Sequence, residues 1–351
     1  MHNKKINGQL IALLVVGICC SCIKNRINSP VFSTINYVSP EVGYSAYPIE
    51  SAEPVNINMI GAQDFKLVNN TILVSSAIDT ALLYSYDIET FSEIGHCLRK
   101  GRGPNEFLQP RSINAFSLRS DKHPTSVLAL DSDGRKMLRF ELEPSLEKNG
   151  IENYEVSQTP FPVKNIFEAK NGGLFCRYWN SHHSGLKRCF LFGDKRVEIP
   201  DIDVVNNLEI STWNTGYAFN LVNFVIDMDY TTGNTVEAGL YLNVINAYST
   251  LDNQLRKSIC IGDSVMDVFM MEKLDILSLE IMFGDVRAYP EFFACLYLPT
   301  NGIMVFDWNG NLVKSWRFSH SISAFDIDFE SKYVYVMNSE SEQLLRYKIN
   351  K

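Results

Sequence analysis

The sequence predicts an all-β fold, and three observations carry that reading. The chain has 351 residues, 46% hydrophobic and 21% charged, enough to bury a full core. It is 12% aromatic, with 16 Tyr and 21 Phe, residue types that suit pleated, half-buried surfaces. From Asp64 onward, short apolar or alternating runs recur between clusters of Gly, Asn, Asp and Ser. No long, clean helical period interrupts them, and the best helical candidate, Val265 to Leu279, is short.

The N-terminus differs in kind. Lys4 and Lys5 precede the apolar run Leu10 to Cys20, about the length of a signal-peptide core and too short for a comfortable membrane span. The run ends in CCSC, which resembles the lipobox of bacterial lipoproteins, whose cysteine becomes the lipidated first residue. Cys22, preceded by Ser21, is the expected site, with Cys20 as the alternative, so residues 1–21 read as a signal peptide. Ile23, Lys24, Asn25 and Arg26 follow with no acidic cluster of the kind that resembles a surface-export tag. A periplasm-facing lipid anchor in a Gram-negative cell envelope is therefore expected over a cell-surface one. Residues 22–54 read as a linker rich in Ser, Pro, Asn and Tyr, and residues 55–351 as the folded domain.

Within that domain a unit recurs: an apolar strand, a few polar turn residues, then a strand ending in an aromatic. It appears at 72–87, 127–141, 174–193, 240–248, 292–307 and 333–348, the fourth being the hardest to delimit. The terminal aromatics Tyr86, Phe140, Phe192, Tyr248, Phe306 and Tyr347 lie 54, 52, 56, 58 and 41 residues apart. Those intervals suit four-stranded antiparallel blades, and radial repetition solves the exposed-edge problem of one large open sheet. A six-bladed β-propeller is expected. The chain ends soon after LLRYKIN, the third strand of the last blade in this alignment, so a segment before Asp64, within 31–38 or 55–60, is expected to supply a fourth and clasp the ring.

The stretch GRGPNEF (101–107), with Pro110 beyond it, falls between the first two units. GRGPNEFLQPRSI followed by VLALDSDGRKMLRFEL resembles the repeat of NHL-type and TolB-like six-bladed propellers, closely over Gly101 to Leu142 and elsewhere only in spacing. With the lipobox-like cysteine, the chain resembles propeller lipoproteins of the Bacteroides type. The resemblance implies that Gly101, Gly103, Pro104, Glu106, Phe107 and Pro110 form a blade junction. Physically, the glycines would permit backbone angles closed to other residues, and Pro104 and Pro110 would stiffen the crossover. Phe107 would seat between blades, while Glu106 would accept from amides of its own loop. The stretch lacks the GK[ST] of a phosphate-binding loop and is not followed by a helix signal.

Chemistry leaves few local marks. Removing residues 1–21 takes two lysines from 32 Lys and Arg and none of the 40 acids, leaving a balance of −10, which argues against nucleic acid. Cys97, Cys176, Cys189, Cys260 and Cys295 lack paired metal spacing and read as small buried hydrophobes. Cys176 and Cys189 could also face one another across a hairpin, where an oxidising compartment would permit a bond. His182 and His183 are adjacent and read as a solvated turn; Asp131, Asp133 and Gly134 open like a calcium loop but lack its closing ligands and read as a hairpin turn. Asp307 to Asn311 holds an Asn-Gly pair and reads as a hairpin. No nucleophile elbow is present, and no catalytic residue, metal or cofactor is assigned.

Trp213, Asn214, Tyr217 and Asn220 stand in a polar-aromatic loop whose composition suits a sugar- or peptide-binding mouth, although a loop packing over its own blade has the same composition. The function expected is a monomeric, lipid-anchored, non-catalytic binding or scaffolding module for a protein, peptide or glycan. The alternative is a metal-dependent envelope hydrolase or lyase with its site in the central channel. The two differ in whether acidic, Asn and His side chains converge on the axis as a metal-sized cage.

Overall fold

The computed structural model describes residues 35–39, 52–58, 61–78, 81–108, 116–119, 124–131, 135–179, 186–199, 223–252, 254–266 and 278–349. These form six sheets, each a meander whose first strand lies innermost. The inner strands are Ala62–Val68, Phe116–Arg119, Asn165–Glu168, Phe224–Met228, Phe283–Ala288 and Ile322–Asp328, which head blades 1 to 6 in chain order. The molecule is a six-bladed β-propeller.

Five of the six recurring units are the hairpin of a blade's second and third strands; the fourth, 240–248, covers only the third strand, Val244–Ser249, and the turn before it, its second strand being Asn234–Gly239, and all six terminal aromatics sit on third strands. In blade 5, for example, Phe292–Tyr297 pairs with Gly302–Asp307, and almost every residue of both strands is buried. Middle strands are covered on both faces by neighbouring blades, so they read as continuous apolar runs. Outer strands such as Glu152–Gln158 and Lys195–Glu198 are exposed nearly throughout and are polar. Phe192 departs from the pattern: it is 41% exposed, and Phe190, two residues earlier on the same pleat face, is the buried aromatic of blade 3.

Two blades exceed the four strands expected. Glu106–Phe107 adds a short parallel strand outside Glu93–Lys100 in blade 1, and Ile35–Val38 adds a parallel strand outside Gln254–Ile261 in blade 4. In blade 6 the fourth strand comes from the N-terminal side, where Glu53–Val55 pairs antiparallel with Gln343–Lys348, setting Val55 opposite Leu344. That pairing joins a segment preceding blade 1 to the last strand of the described chain in one sheet.

Among the described residues, an apolar cluster fills each of the six junctions between neighbouring blades. Leu83, Phe107, Phe116 and Phe140 belong to the junction of blades 1 and 2; Leu130, Ile166 and Cys176 to that of blades 2 and 3. Phe175, Phe190 and Tyr248 fill the third junction, Ile259, Phe283 and Phe293 the fourth, and Leu296, Phe325 and Tyr347 the fifth. Val55, Phe65, Tyr335 and Leu344 close the sixth, between blades 6 and 1. Each fully buried Phe stabilises its junction by roughly 1.5–3 kcal/mol, so the ring is held by side-chain interdigitation, with backbone pairing inside the blades.

A short helix, Leu142–Glu147, follows the third strand of blade 2 and places Leu142 and Leu146 in the first junction. Cys176 and Cys189 are direct cross-strand partners in blade 3, both buried, and burial pushes the Cys176 thiol well up. The Asp307–Asn311 turn has Gly310 at φ +83°, and one Asp307 carboxylate oxygen accepts from the amides of Asn309 and Asn311. The helical candidate lies almost wholly outside the described residues, as do His182, His183, Asp133 and Gly134.

Candidate functional site

The GRGPNEF stretch closes on itself. Gly101 N–H donates to the Phe107 carbonyl at 2.8 Å, and Gly103 N–H donates to Glu106 Oε2 at 2.8 Å. Lys136 from blade 2 donates its ammonium to the carbonyls of Gly103, at 2.7 Å, and of Glu106, and lies over the Phe107 ring. Phe107 is fully buried. Leu108 N–H meets the Asp131 carboxylate at 3.2 Å, so this aspartate ties the loop to the next hairpin. Neither Gly101 nor Gly103 has a left-handed φ, so the glycines are not there for backbone angle. A Cβ on Gly101 would stand 2.0 Å from Glu106 Oε2, and one on Gly103 3.0 Å away: the carboxylate needs the room. Pro104 lies within this loop, while Pro110 is outside the described residues.

A second constellation lies on the ring axis and is built from inner strands. Lys66 of blade 1 reaches Asp227 of blade 4 at 2.9 and 3.1 Å, an ion pair between opposite blades that crosses the channel. Asp227 also accepts the Ala288 amide of blade 5 at 3.0 Å. Arg287, fully buried, donates to Asp285 at 2.6 Å, to Asp64 of blade 1 at 2.9 Å and to the Phe65 carbonyl at 2.9 Å. Asp326 of blade 6 accepts the Leu67 amide of blade 1 at 2.7 Å and the Tyr289 hydroxyl at 2.7 Å. Burial alone would weaken the Arg287 charge, but Asp285, Asp64, Asp326 and Asp227 hold its pKa well above the ordinary value. Burial pushes the Asp64 carboxyl up, against the pull of Arg287.

Blades 3 and 4 share a separate buried charge cluster. Arg188 makes a two-pronged contact with Glu237, and the Tyr248 hydroxyl donates to the same carboxylate at 2.5 Å. Arg177 stands 3.5 Å from Glu237 and donates to Asn165 at 2.6 Å and to the Phe224 carbonyl at 2.9 Å. Burial opposes ionisation of Glu237, yet Arg188 and Arg177 overcome it and hold the carboxyl at about 2. This cluster is a junction between blades and offers no open mouth.

Two cavities open where the inner strands end. The axial one, about 250 Å³, is lined by Lys66, Asn69, Asp227, Asp229, Tyr289 and Asp326 among others. The larger, about 420 Å³, lies over blades 2 and 3 and is lined by Arg119, Ser126, Arg139, Glu168, Lys170 and Tyr230, with Gly172 and Gly173 in its wall. Tyr230 lines both, so the cavities adjoin. Among the described residues, no three His, Cys, Asp or Glu side chains gather in a metal-sized group.

Neither cavity was singled out by sequence motif, although a signal was present. Inner strands read DFK, IDMD, DVR and FDID, and charges inside otherwise apolar strands mark positions facing a channel or a neighbouring blade. Trp213, Asn214, Tyr217 and Asn220, like Cys20 and Cys22, lie outside the described residues.

No protein family profile matches the chain, and no curated protein matches it. Among solved structures it is similar to a putative exported protein from Bacteroides fragilis NCTC 9343, at 13% identity and TM-score 0.55, covering 91% of this chain and 100% of that one. It is also similar to the β-propeller domain of Cps50 (Swd1) from Myceliophteria thermophila, at 9% identity and TM-score 0.45, covering 83% and 97%. A third likeness is to a chain of the mitotic checkpoint complex, at 8% identity and TM-score 0.46, covering 83% and 75%. Likeness at 13% identity speaks to fold, and the two lower scores add nothing to it.

Proposed function

We propose that the protein is a non-catalytic binding module of the bacterial cell envelope, lipid-anchored through Cys22 and presenting the face with the two cavities to a protein, peptide or glycan. One observation carries the non-catalytic part. The inner-strand carboxylates Asp64, Asp227 and Asp326, where a metal-dependent hydrolase would need oxygens turned toward a cation, are engaged by Lys66, Arg287 and backbone amides of the adjoining blade. Their work is to hold blades together, and the propeller is then a rigid stage for surface recognition. The basic, apolar, cysteine-ended N-terminus supports the envelope address, and so does the likeness to an exported protein of Bacteroides fragilis.

The test is crosslinking in cells followed by affinity capture and mass spectrometry, with Cys22→Ala as the mislocalised control. A stoichiometric envelope partner, lost in the control, is the expected result. Capture of nothing above background, together with metal-dependent turnover of a glycan or ester by the purified chain, would sink this reading in favour of the hydrolase.

A further inference from the structure

Five cysteines lie among the described residues, and all are buried. Three of them face other residue types across the sheet: Leu83 stands opposite Cys97, Val244 and Tyr37 opposite Cys260, and Val286 and Met304 opposite Cys295. Cys176 and Cys189 face each other. They sit on the second and third strands of blade 3 as direct antiparallel partners, and partners in that register turn their side chains to the same face of the sheet. That face is the junction with blade 2, where both belong to the cluster of Leu130, Met137 and Ile166.

The register suits a covalent bond. Opposed residues of an antiparallel pair have Cα atoms about 4.5 or 5.5 Å apart, according to whether they exchange hydrogen bonds, and both values fall within the roughly 4.4–6.8 Å that a disulfide spans. Their Cβ atoms, about 4.5–5.5 Å apart, need to close by about 1 Å or less to reach the usual disulfide range of about 3.5–4.5 Å. The Cys176 thiol makes a long hydrogen bond to the Leu174 carbonyl at 3.6 Å, a weak contact for the new bond to displace. Met137 lies in the same cluster, and its unbranched side chain adapts to a small shift.

We propose that Cys176 and Cys189 form a structural disulfide in the chain as it resides in the cell envelope. The inference rests on the envelope address proposed above, since a cytosolic chain would keep the dithiol form that the structure holds. The reaction is thiol–disulfide exchange with an envelope thiol oxidase, whose own disulfide is the oxidant. One cysteine thiolate attacks that disulfide and forms a mixed disulfide; the second attacks the mixed bond, closes Cys176 to Cys189 and releases the oxidase as a dithiol. Two electrons and two protons pass to the oxidase. The step belongs to the folding chain. Once blade 2 packs on blade 3, both sulfurs are fully buried, which bars external thiols and withdraws the thiolate that exchange needs. The bond is then a fixed brace and not a switch: it closes the loop of residues 177–188 and locks the register of the two middle strands.

Alkylation and peptide mapping of the full-length chain test it. Cells are treated with N-ethylmaleimide to stop exchange, envelope and cytosol are separated, and the chain is denatured with more reagent and no reductant, then cut with trypsin. Of the five cysteines, only Cys97, Cys260 and Cys295 are expected to carry label in the envelope chain. Peptide 171–177 should be recovered joined to peptide 189–195, and reduction should part them. A chain lacking residues 1–21, kept in the cytosol, should take label at all five. Cys176→Ala should open Cys189 to label in the envelope; if that variant misfolds, the peptide map of the unaltered chain decides alone. Label at all five in the envelope chain, or a link from Cys176 or Cys189 to another cysteine, would overturn the disulfide and leave the envelope address standing. A full-length chain found only in the cytosol would overturn both. The joined peptides in the chain lacking residues 1–21 would keep the bond and overturn its dependence on an envelope oxidase.

Discussion

Glu237 illustrates how a single carboxylate fixes a blade junction. It is fully buried, yet Arg188 and Arg177 hold it near 2 against an ordinary value of 4.5. A carboxyl depressed by folding contributes stability that is fully present above 4.5 and is lost as pH falls toward about 2. Glu237→Gln leaves two buried guanidinium groups without their counter-charge. The expected cost at neutral pH is about 3–5 kcal/mol, the usual cost of breaking a buried pair from one side. The deficit should narrow between pH 4.5 and 2, because there the wild type loses the same contribution. Urea unfolding of both proteins across that range checks it, and a deficit independent of pH would show that the loss is one of packing.

At the scale of elements, ring closure rests on three residues. Glu53–Val55 is short, but Val55 is 4% exposed and belongs to the cluster joining blades 6 and 1, opposite Leu344. Val55→Asp places an unpaired charge there and should cost about 2–4 kcal/mol. Amide exchange should quicken at the edge of Gln343–Lys348 first, since that strand would lose its outer partner. Uniform quickening over all six blades would mean that the clasp is not a separable unit. The sequence made most of these elements legible because second and third strands are buried on both faces and announce themselves as apolar runs with an aromatic end. The fourth hairpin was hidden for a physical reason: its second strand, Asn234–Gly239, is wholly buried but made of NTVEAG, with Glu237 neutralised from the preceding blade and small Ala238 and Gly239 in place of bulky residues. The cavities were illegible for a related reason. Arg119, Arg139, Glu168 and Lys170 come from two blades, and nothing in their local spacing says that they meet.

At the scale of the whole molecule, the ring is a balance between apolar junctions and a charged axis, and Arg287 is where that balance is most exposed. It joins blade 5 to Asp64 of blade 1 and stands 4.0 Å from Asp326 of blade 6, while Lys66 and Asp227 tie blades 1 and 4 across the channel. Arg287→Met keeps the bulk and removes the charge, leaving Asp64, Asp285 and Asp326 clustered around an apolar side chain. Asp64, already raised above 3.8 by burial, would be raised further without the guanidinium. A carboxyl raised by folding costs stability at pH values above its folded pKa, and that cost fades as pH falls toward 3.8. The variant should therefore be less stable than wild type by about 3–5 kcal/mol at pH 7. Its deficit should begin to shrink at a higher pH than that of Glu237→Gln, since here protonation repairs the variant, whereas there it weakens the wild type. Thermal melts of wild type and both variants from pH 7 to pH 3 distinguish the two. Coincident profiles would mean that Arg287 acts by filling space, and that the axis is held by the Lys66–Asp227 pair and the backbone amides alone.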